Sequence, residues 1–97
     1  MSLYIQLRDG FSNDSVTIAV NGKEIYRKSG VSTDLTISFA DAVEVPVTGP
    51  VAKLAVAIKG GHKLEKKIRV QETPFVDVWI IEEKMEFRES KDQVPIL

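Results

Sequence analysis

The chain has 97 residues, of which 43% are hydrophobic and 28% are charged, and its formal net charge at pH 7 is −1. This length supports a single domain over residues 1–97 and is too short for two domains with cores of their own. The absence of cysteine excludes disulfides, thiolate metal sites and cysteine nucleophiles, and a single histidine leaves zinc and copper without their usual ligands.

The N-terminus shows no export signal. The stretch MSLYIQLRDG has no basic segment followed by a seven-residue apolar core, and no apolar run reaches eighteen residues. We therefore expect a soluble protein with no membrane segment, and the missing cysteines favour the cytoplasm over an oxidising compartment. Residues 1–3 are also typical of an added cloning sequence, and residues 91–97 form a charged tail with an apolar tip.

Alternating apolar and polar residues predict strands along most of the chain, beginning with LYIQL near the N-terminus. The clearest element is a hairpin over residues 15–28. Its first strand, SVTIAV, runs into Asn21-Gly22, a dipeptide typical of two-residue hairpin turns. A turn of that length predicts a register in which Ile18 lies opposite Ile25.

Two shorter alternating runs follow. DLTISF predicts a strand over residues 35–39, and VEVPV predicts another over residues 43–47. Pro46 has no N–H group to donate to a sheet, so the second of these strands should lie at a sheet edge or contain a bulge.

The segments AKLAVAIK and KLEKKIRV form a second predicted hairpin, and both carry their apolar residues at even positions. Keeping the even positions on one face places Ile58 opposite Leu64. This register leaves Gly60, Gly61 and His62 as a three-residue loop, with the histidine at the hairpin tip.

The last predicted strand lies in TPFVDVWIIEEKMEFRES, residues 73–90, which holds the single tryptophan, Trp79. We expect a strand to about Ile81, followed by a bulge, a bend or an overhang, with a helix as the alternative for the residues after it. A large aromatic residue inside an apolar run is more often a core residue than a surface platform, so Trp79 is predicted to be buried.

Seven or eight strands joined by short turns predict an all-β fold, an antiparallel β-sandwich of immunoglobulin-like or transthyretin-like architecture. A flattened β-barrel is the alternative architecture.

Positive charge is concentrated in residues 51–70, which hold six basic residues and one acid, a net charge of +5 in a chain whose total is −1. In the predicted register Lys53 faces Arg69 and Lys59 faces Lys63, and like charges placed opposite each other destabilise a sheet. We expect acids of the final segment to compensate from the same sheet. The alternative is an anionic partner at this hairpin, although a pI near 5.8 disfavours nucleic acid.

Two other binding hypotheses remain. Oxygen ligands in the loop RDGFSNDS, with Asp34 and Asp41 nearby, are compatible with calcium, but Asp, Asn, Gly and Ser are also the residues that turns require. Tyr4, Tyr26 and Trp79 are the residue types that stack on sugar rings. Catalysis has no support, because His62 has no nucleophile motif or glycine-rich cradle beside it.

The sequence therefore predicts a non-catalytic protein-interaction or accessory module without a cofactor. It would bind a protein partner, or another copy of itself, through an edge strand or the final segment. A carbohydrate-binding module and a calcium-dependent domain are the alternatives. The predicted interaction surface consists of Lys53, Lys59, Lys63, Lys67, Arg69, Met85 and Phe87.

Overall fold

The protein folds as two β-sheets packed face to face. The computed structural model describes residues 1–92, so the apolar tip of the tail lies outside the described residues. The eight strands are β1 (Ser2–Leu7), β2 (Asp14–Val20), β3 (Lys23–Val31), β4 (Asp41–Pro46), β5 (Val51–Ile58), β6 (Lys63–Arg69), β7 (Phe75–Ile81) and β8 (Lys84–Ser90). This confirms the predicted all-β sandwich, and the flattened barrel is wrong because the strands of residues 1–92 form two open sheets.

Each sheet has four strands. Sheet A has the order β4-β1-β7-β8, and sheet B has the order β3-β2-β5-β6. Neighbouring strands are antiparallel except β1 and β7, which are parallel. The edges of sheet A are β4 and β8, and those of sheet B are β3 and β6, so Pro46 lies in an edge strand, as its missing N–H group predicts.

The core lies between the two sheets and follows from the alternation of side chains along each strand. Alternate residues of β1, β2, β5 and β7 point inward, and the largest fully buried side chains are Leu3, Ile5, Leu7, Ile18, Leu54, Ile68, Val16, Val56, Val76 and Val78. No segment of the described chain is a helix long and apolar enough to cross a membrane.

The first hairpin forms as predicted at its turn but not along its whole length. Residues 21–22 form the turn, and the register then shifts at a β-bulge, so that Ile18 lies opposite Tyr26 and not opposite Ile25. A bulge adds one residue to one strand and changes which residues share a face. Tyr26 consequently reaches the side of sheet A, where its hydroxyl donates a hydrogen bond to Asp41.

The second hairpin keeps the predicted faces but has a different register. Even positions of β5 and β6 share a face, and Val56 lies opposite Leu64. The Ile58 N–H donates to the carbonyl of His62, so the three-residue loop consists of residues 59–61. The predicted pairing of Ile58 with Leu64 is therefore wrong by two residues, a shift that leaves every side chain on its original face.

Residues 35–39 do not form the predicted strand. They form a turn closed by an isolated bridge between Asp34 and Phe39. The Asp34 carboxylate accepts hydrogen bonds from the N–H and the hydroxyl of Thr36, a local arrangement that competes with strand pairing. As a result, Leu35 is 78% exposed and does not reach the core.

The long run after Thr73 is a hairpin and neither one extended strand nor a helix. Glu82 and Glu83 both have positive φ, 51° and 64°, and connect β7 to β8. Positive φ at both central residues is the geometry of a two-residue hairpin turn, which normally selects Asn and Gly. Because glutamate gives no such turn signal, the sequence did not predict this reversal of the chain.

Polar contacts join the two sheets where β3 lies near β4. The Asp41 carboxylate accepts a hydrogen bond of 2.7 Å from the Tyr26 hydroxyl and forms an ion pair of 3.2 Å with Lys28. Burial alone would raise the pKa of Asp41, but the hydrogen bonds from Tyr26, the Ala42 N–H and Lys28 outweigh it, and the pKa lies below its ordinary value. Burial, and then the Asp41 carboxylate, raise the pKa of Tyr26.

We expect Tyr26→Phe to lower the free energy of unfolding at neutral pH by about 1–2 kcal/mol, because it removes a hydrogen bond to a charged group. The pKa of Asp41 is lower in the folded chain, so the ionised carboxylate stabilises the fold above the unfolded pKa, and this stability is lost as the pH falls through the folded pKa. The difference between the two proteins should therefore shrink below about pH 4. Urea unfolding of both proteins across this range, with Tyr4→Phe as the control, measures it; a difference that is constant with pH would contradict the assignment.

Candidate functional site

The outer face of sheet A, which points away from the core, carries buried charged groups. Parallel pairing places Gln6 beside Asp77, and Arg8 follows on the same face. The side chains of Arg8 and Asp77 are only 4% and 5% exposed. Burying charge is unfavourable unless the charges are paired, so these residues need a specific arrangement. We call the surface formed by Tyr4, Gln6, Arg8, Phe75, Asp77, Trp79 and Arg88 the aromatic–arginine face.

The centre of this face is an ion pair in which Arg8 Nη1 lies 3.2 Å from Asp77 Oδ2. Arg8 Nε also donates to the carbonyl of Ser38 at 2.7 Å, and Nη1 lies 3.5 Å from Gln6 Oε1. The turn at residues 34–39 thus contacts Arg8 and helps to cover the pair. Burial raises the pKa of Asp77, and the nearby guanidinium of Arg8 offsets this only in part.

Trp79 lies beside this ion pair and not in the core. The guanidinium carbon of Arg8 is 5.1 Å from the centre of its ring and that of Arg88 is 4.7 Å away, both within cation–π distance. Arg8 directly follows β1 and Arg88 lies in β8, and these two strands are the neighbours of β7 in sheet A. Trp79 Nε1 is buried and has no hydrogen-bond partner among the described residues. The prediction that Trp79 is a core residue is therefore wrong, because Val76 and Val78 are the inward residues of β7.

Two more aromatic residues extend this face. Tyr4 and Phe75 lie opposite each other in the parallel pair, and their rings stack with centroids 4.8 Å apart and an interplanar angle of 19°. Ile81, which follows Trp79 on the same face, is 37% exposed. Aromatic residues and arginine are enriched at the centres of protein interfaces, so this composition is typical of a binding surface.

The predicted basic residues lie on the other sheet. Lys53, Lys63, Lys67 and Arg69 share the outer face of β5 and β6, whereas Lys59 lies in the loop between these strands. Lys53 faces Lys67 and not Arg69, as a consequence of the shifted register. Glu65 offsets this repulsion, because its carboxylate lies 3.3 Å from Lys53 Nζ.

Met85 and Phe87 do not join the basic residues. Phe87 is 7% exposed and belongs to the core, and Met85 is half-buried and packs against it. Both point to the inner side of β8, so they offer little surface to a partner. The predicted interaction surface is thus divided between two parts of the molecule that the fold does not bring together.

The expected charge compensation by the acids that follow the basic hairpin holds at Glu89 and at Glu72, whose carboxylate lies 3.5 Å from Arg69 Nη1. Strand β8 lies in sheet A, so its acids are not in the same sheet as the basic hairpin. Across the edges of the two sheets, Glu89 forms an ion pair of 3.2 Å with Lys66. Within residues 1–92, Lys59, Lys63 and Lys67 form no ion pair.

The calcium hypothesis finds no ligand cluster. Among the described residues, no group of three or more His, Asp or Glu side chains is placed to hold a metal ion. Asp9 and Asp14 accept hydrogen bonds from the N–H groups of Gly10 and Ser12, and Asp34 bonds with Thr36. These carboxylates stabilise turns, which is the simpler of the two interpretations of the loop.

Comparison of the chain with protein-family models, with curated proteins and with solved structures finds no match. The function therefore has to be inferred from the side chains that the fold brings together.

Sequence reasoning missed the aromatic–arginine face, although one feature pointed to it. Asp77 interrupts the apolar run of β7, and alternation places it on the same face as Trp79 and opposite to Val76 and Val78. A carboxylate beside a tryptophan predicts an outer or polar face. Its partner Arg8 was not identifiable, because the parallel pairing of β1 with β7 joins residues far apart in the chain.

Proposed function

We propose that this protein is a non-catalytic interaction module that binds a protein partner through the aromatic–arginine face. The observation that supports this most strongly is the position of Trp79, which lies on the outside of sheet A between the guanidinium groups of Arg8 and Arg88. Trp, Tyr and Arg are the residue types that carry most of the binding energy at protein interfaces.

The rigidity of the face supports the same proposal. Arg8 is fixed by Asp77, Ser38 and Gln6, so its guanidinium already lies against the Trp79 ring before any partner binds. Rigid side chains lose little conformational entropy on binding. A buried ion pair adds little net stability compared with an apolar pair of the same size, but here it fixes the guanidinium that lies against the Trp79 ring.

Two of the four edge strands, β4 and β6, are poorly suited to self-association. Edge strand β4 contains Pro46, and β6 has the sequence KLEKKIR. Proline and lysine at edges discourage pairing with another copy of the same strand. These two strands therefore disfavour edge pairing into a homodimer, and the proposed binding site lies on a sheet face.

Of the two predicted architectures, we propose the transthyretin-like one. In the immunoglobulin arrangement the second and third strands lie in opposite sheets. Here β2 and β3 are neighbours in sheet B, which favours the other architecture.

The binding proposal is tested by affinity capture from an extract of the source organism with the wild-type domain and three variants. Trp79→Ala and Arg88→Ala change the face, and Arg27→Ala is the matched control, because Arg27 is an exposed arginine of sheet B that also pairs with a nearby glutamate. A captured protein is then titrated against each variant. We expect Trp79→Ala and Arg88→Ala each to weaken binding about tenfold or more, and Arg27→Ala to leave it within about twofold.

The proposal fails if every protein that the wild type captures binds Trp79→Ala and Arg88→Ala with unchanged affinity. Unfolding curves of each variant show whether it is folded, so a loss of binding is not confused with a loss of structure. An equal loss in the Arg27→Ala control would contradict the proposal, because the loss would then not be specific to the aromatic–arginine face.

Carbohydrate binding is the second candidate, because Tyr4, Phe75 and Trp79 share one face, as in sugar-stacking platforms. It is weaker, since two guanidinium groups already lie against the Trp79 ring. Trp79 fluorescence recorded against a panel of glycans tests it. A fluorescence response to one glycan class would favour a sugar ligand if Trp79→Phe, which keeps an aromatic ring, still binds that glycan in a separate binding assay. No response to any glycan would remove this candidate.

A further inference from the structure

Strand β6 forms an open edge of sheet B with one strongly basic side. Its outward side chains are Lys63, Glu65, Lys67 and Arg69, in alternate positions along the strand. All four are exposed. They lie next to β5 on one side, and on the other side β6 has no strand neighbour within its sheet.

The cations on this side are only partly compensated. Glu65 is paired with Lys53, and Arg69 Nη1 lies 3.5 Å from Oε2 of the exposed Glu72. Lys63 and Lys67 have no ion-pair partner within residues 1–92. The free positive charge therefore lies along the outer side of a strand that ends its sheet.

The inner side of the same edge is already closed. Lys66 points away from this row and forms its ion pair with Glu89 of β8. Ile68 is fully buried, and Leu64 packs against the core. A ligand at this edge would therefore meet cations on one side only. Its attraction to the edge depends on whether its acidic side chains point to that side.

An unpaired edge offers backbone N–H and C=O groups to any extended chain. Lysines at such an edge repel a second copy of β6, but the same lysines attract a strand that carries acids. Addition of an extended peptide to a sheet edge is an established recognition mode, in which the backbone supplies affinity and alternate side chains supply specificity.

We propose that β6 binds an extended acidic peptide segment as an additional strand of sheet B. Acids should lie opposite Lys63, Lys67 and Arg69, and a neutral or basic residue opposite Glu65. Because alternate residues of a strand share a face, an antiparallel ligand carries its acids at the first, third and seventh of seven positions. A parallel ligand carries them at the first, fifth and seventh.

Nucleic acid fits this site less well. Apart from Lys53, the outward side chains at the middle of the central strands of sheet B are small, namely Thr17, Ala19, Ala55 and Ala57. Single-stranded nucleic acids bind through basic grooves with aromatic side chains on which the bases stack, and this face has none in its central strands. The site is also separate from the aromatic–arginine face, since the two lie on different sheets.

Fluorescence anisotropy with labelled seven-residue peptides tests the proposal. One peptide carries glutamates at positions one, three and seven, and a second carries them at one, five and seven. A register-shifted control of the same composition carries them at two, four and six. We expect one of the first two peptides to bind the wild-type protein about tenfold more tightly than the shifted control. Amide hydrogen exchange should slow in β6 when that peptide binds.

Charge-reversal variants locate the site. Lys63→Glu with Lys67→Glu should weaken binding of the matched peptide about tenfold or more, because both contacts become repulsive. Lys23→Glu with Lys84→Glu makes the same change in net charge at two other exposed lysines and should leave binding within about twofold. Trp79→Ala should also bind the peptide normally, so this result is independent of the proposed function.

Three results would overturn the proposal. Equal affinity for the matched and shifted peptides would show that side-chain register, and hence strand addition, plays no part. An equal loss in the Lys23→Glu, Lys84→Glu control would reduce the effect to net charge. Tighter binding of a single-stranded oligonucleotide or a heparin fragment than of either peptide, abolished by Lys63→Glu with Lys67→Glu, would make β6 a general polyanion site.

Discussion

Gly10→Ala is expected to lower the free energy of unfolding by at least about 3 kcal/mol, one of the two largest effects that the structure predicts. Gly10 has φ of +96°, and a Cβ atom placed there would lie 2.6 Å from Ile80 Cβ and overlap the Ile80 carbonyl oxygen. The Ile80 N–H donates to the carbonyl of Asp9, so the backbone of β7 is held against this loop and has little room to move.

Gly22→Ala is the matched control for this effect. Gly22 also has positive φ, +80°, but a Cβ atom added there meets nothing within 4 Å. Its substitution should therefore cost only the backbone strain, about 1–2 kcal/mol. Urea unfolding of the two variants and the wild type separates the terms. Equal losses at both positions would show that the close approach of Gly10 to Ile80 has no energetic consequence.

Breaking the buried ion pair is expected to have an effect of similar size. Asp77→Leu leaves the Arg8 guanidinium buried without its counter-charge. Arg8→Met likewise leaves the Asp77 carboxylate buried without a cation beside it. Each single change should lower the free energy of unfolding by about 3–5 kcal/mol. The double variant should lose much less than the sum, because an apolar pair leaves no charge unpaired.

Unfolding of the two single variants and the double variant completes a double-mutant cycle. Additive losses would contradict the coupling of Arg8 with Asp77. The double variant also separates folding from function, since it removes the cation that lies beside Trp79 on the side of β1. We expect it to remain folded and to bind the captured partner more weakly than the wild type does.

The contributions of Asp77 and Asp41 to the free energy of unfolding should change with pH in opposite directions. Burial raises the pKa of Asp77 in spite of Arg8, so the folded chain holds this proton more tightly than the unfolded chain. Its contribution to stability is present below the unfolded pKa and is lost as the pH rises through the folded pKa. The cost of removing Asp77 at neutral pH therefore comes from the unpaired guanidinium of Arg8 and not from loss of a favourable carboxylate.

The elements that the sequence predicts well are those whose local chemistry decides them. The turn at residues 21–22 forms because Asn and Gly accept positive φ, and the alternation in β5 and β6 assigns each side chain to the correct face. Alternation gives the face but not the register, because a shift by two residues changes no face. This is why the β5–β6 loop was placed one residue too far along the chain.

The elements that the sequence did not predict depend on contacts between distant residues. The turn at residues 82–83 uses glutamates that carry no turn preference, and residues 35–39 alternate like a strand but are held in a turn by Asp34. The parallel pairing of β1 with β7 creates the Arg8–Asp77 pair, and no local pattern encodes it. The candidate site was therefore missed, although the fold class was correct.

The most direct test of the proposed function uses the indole N–H of Trp79. The chain has one tryptophan, so the ¹⁵N-labelled domain gives one indole signal in a proton–nitrogen correlation spectrum. The captured partner is titrated into the labelled domain until binding is saturated. The proposal predicts that the Trp79 indole signal shifts or broadens with the affinity measured by titration, together with the signals of Tyr4 and Arg88. An indole signal that is unchanged at saturation, while signals elsewhere move, would contradict binding at the aromatic–arginine face.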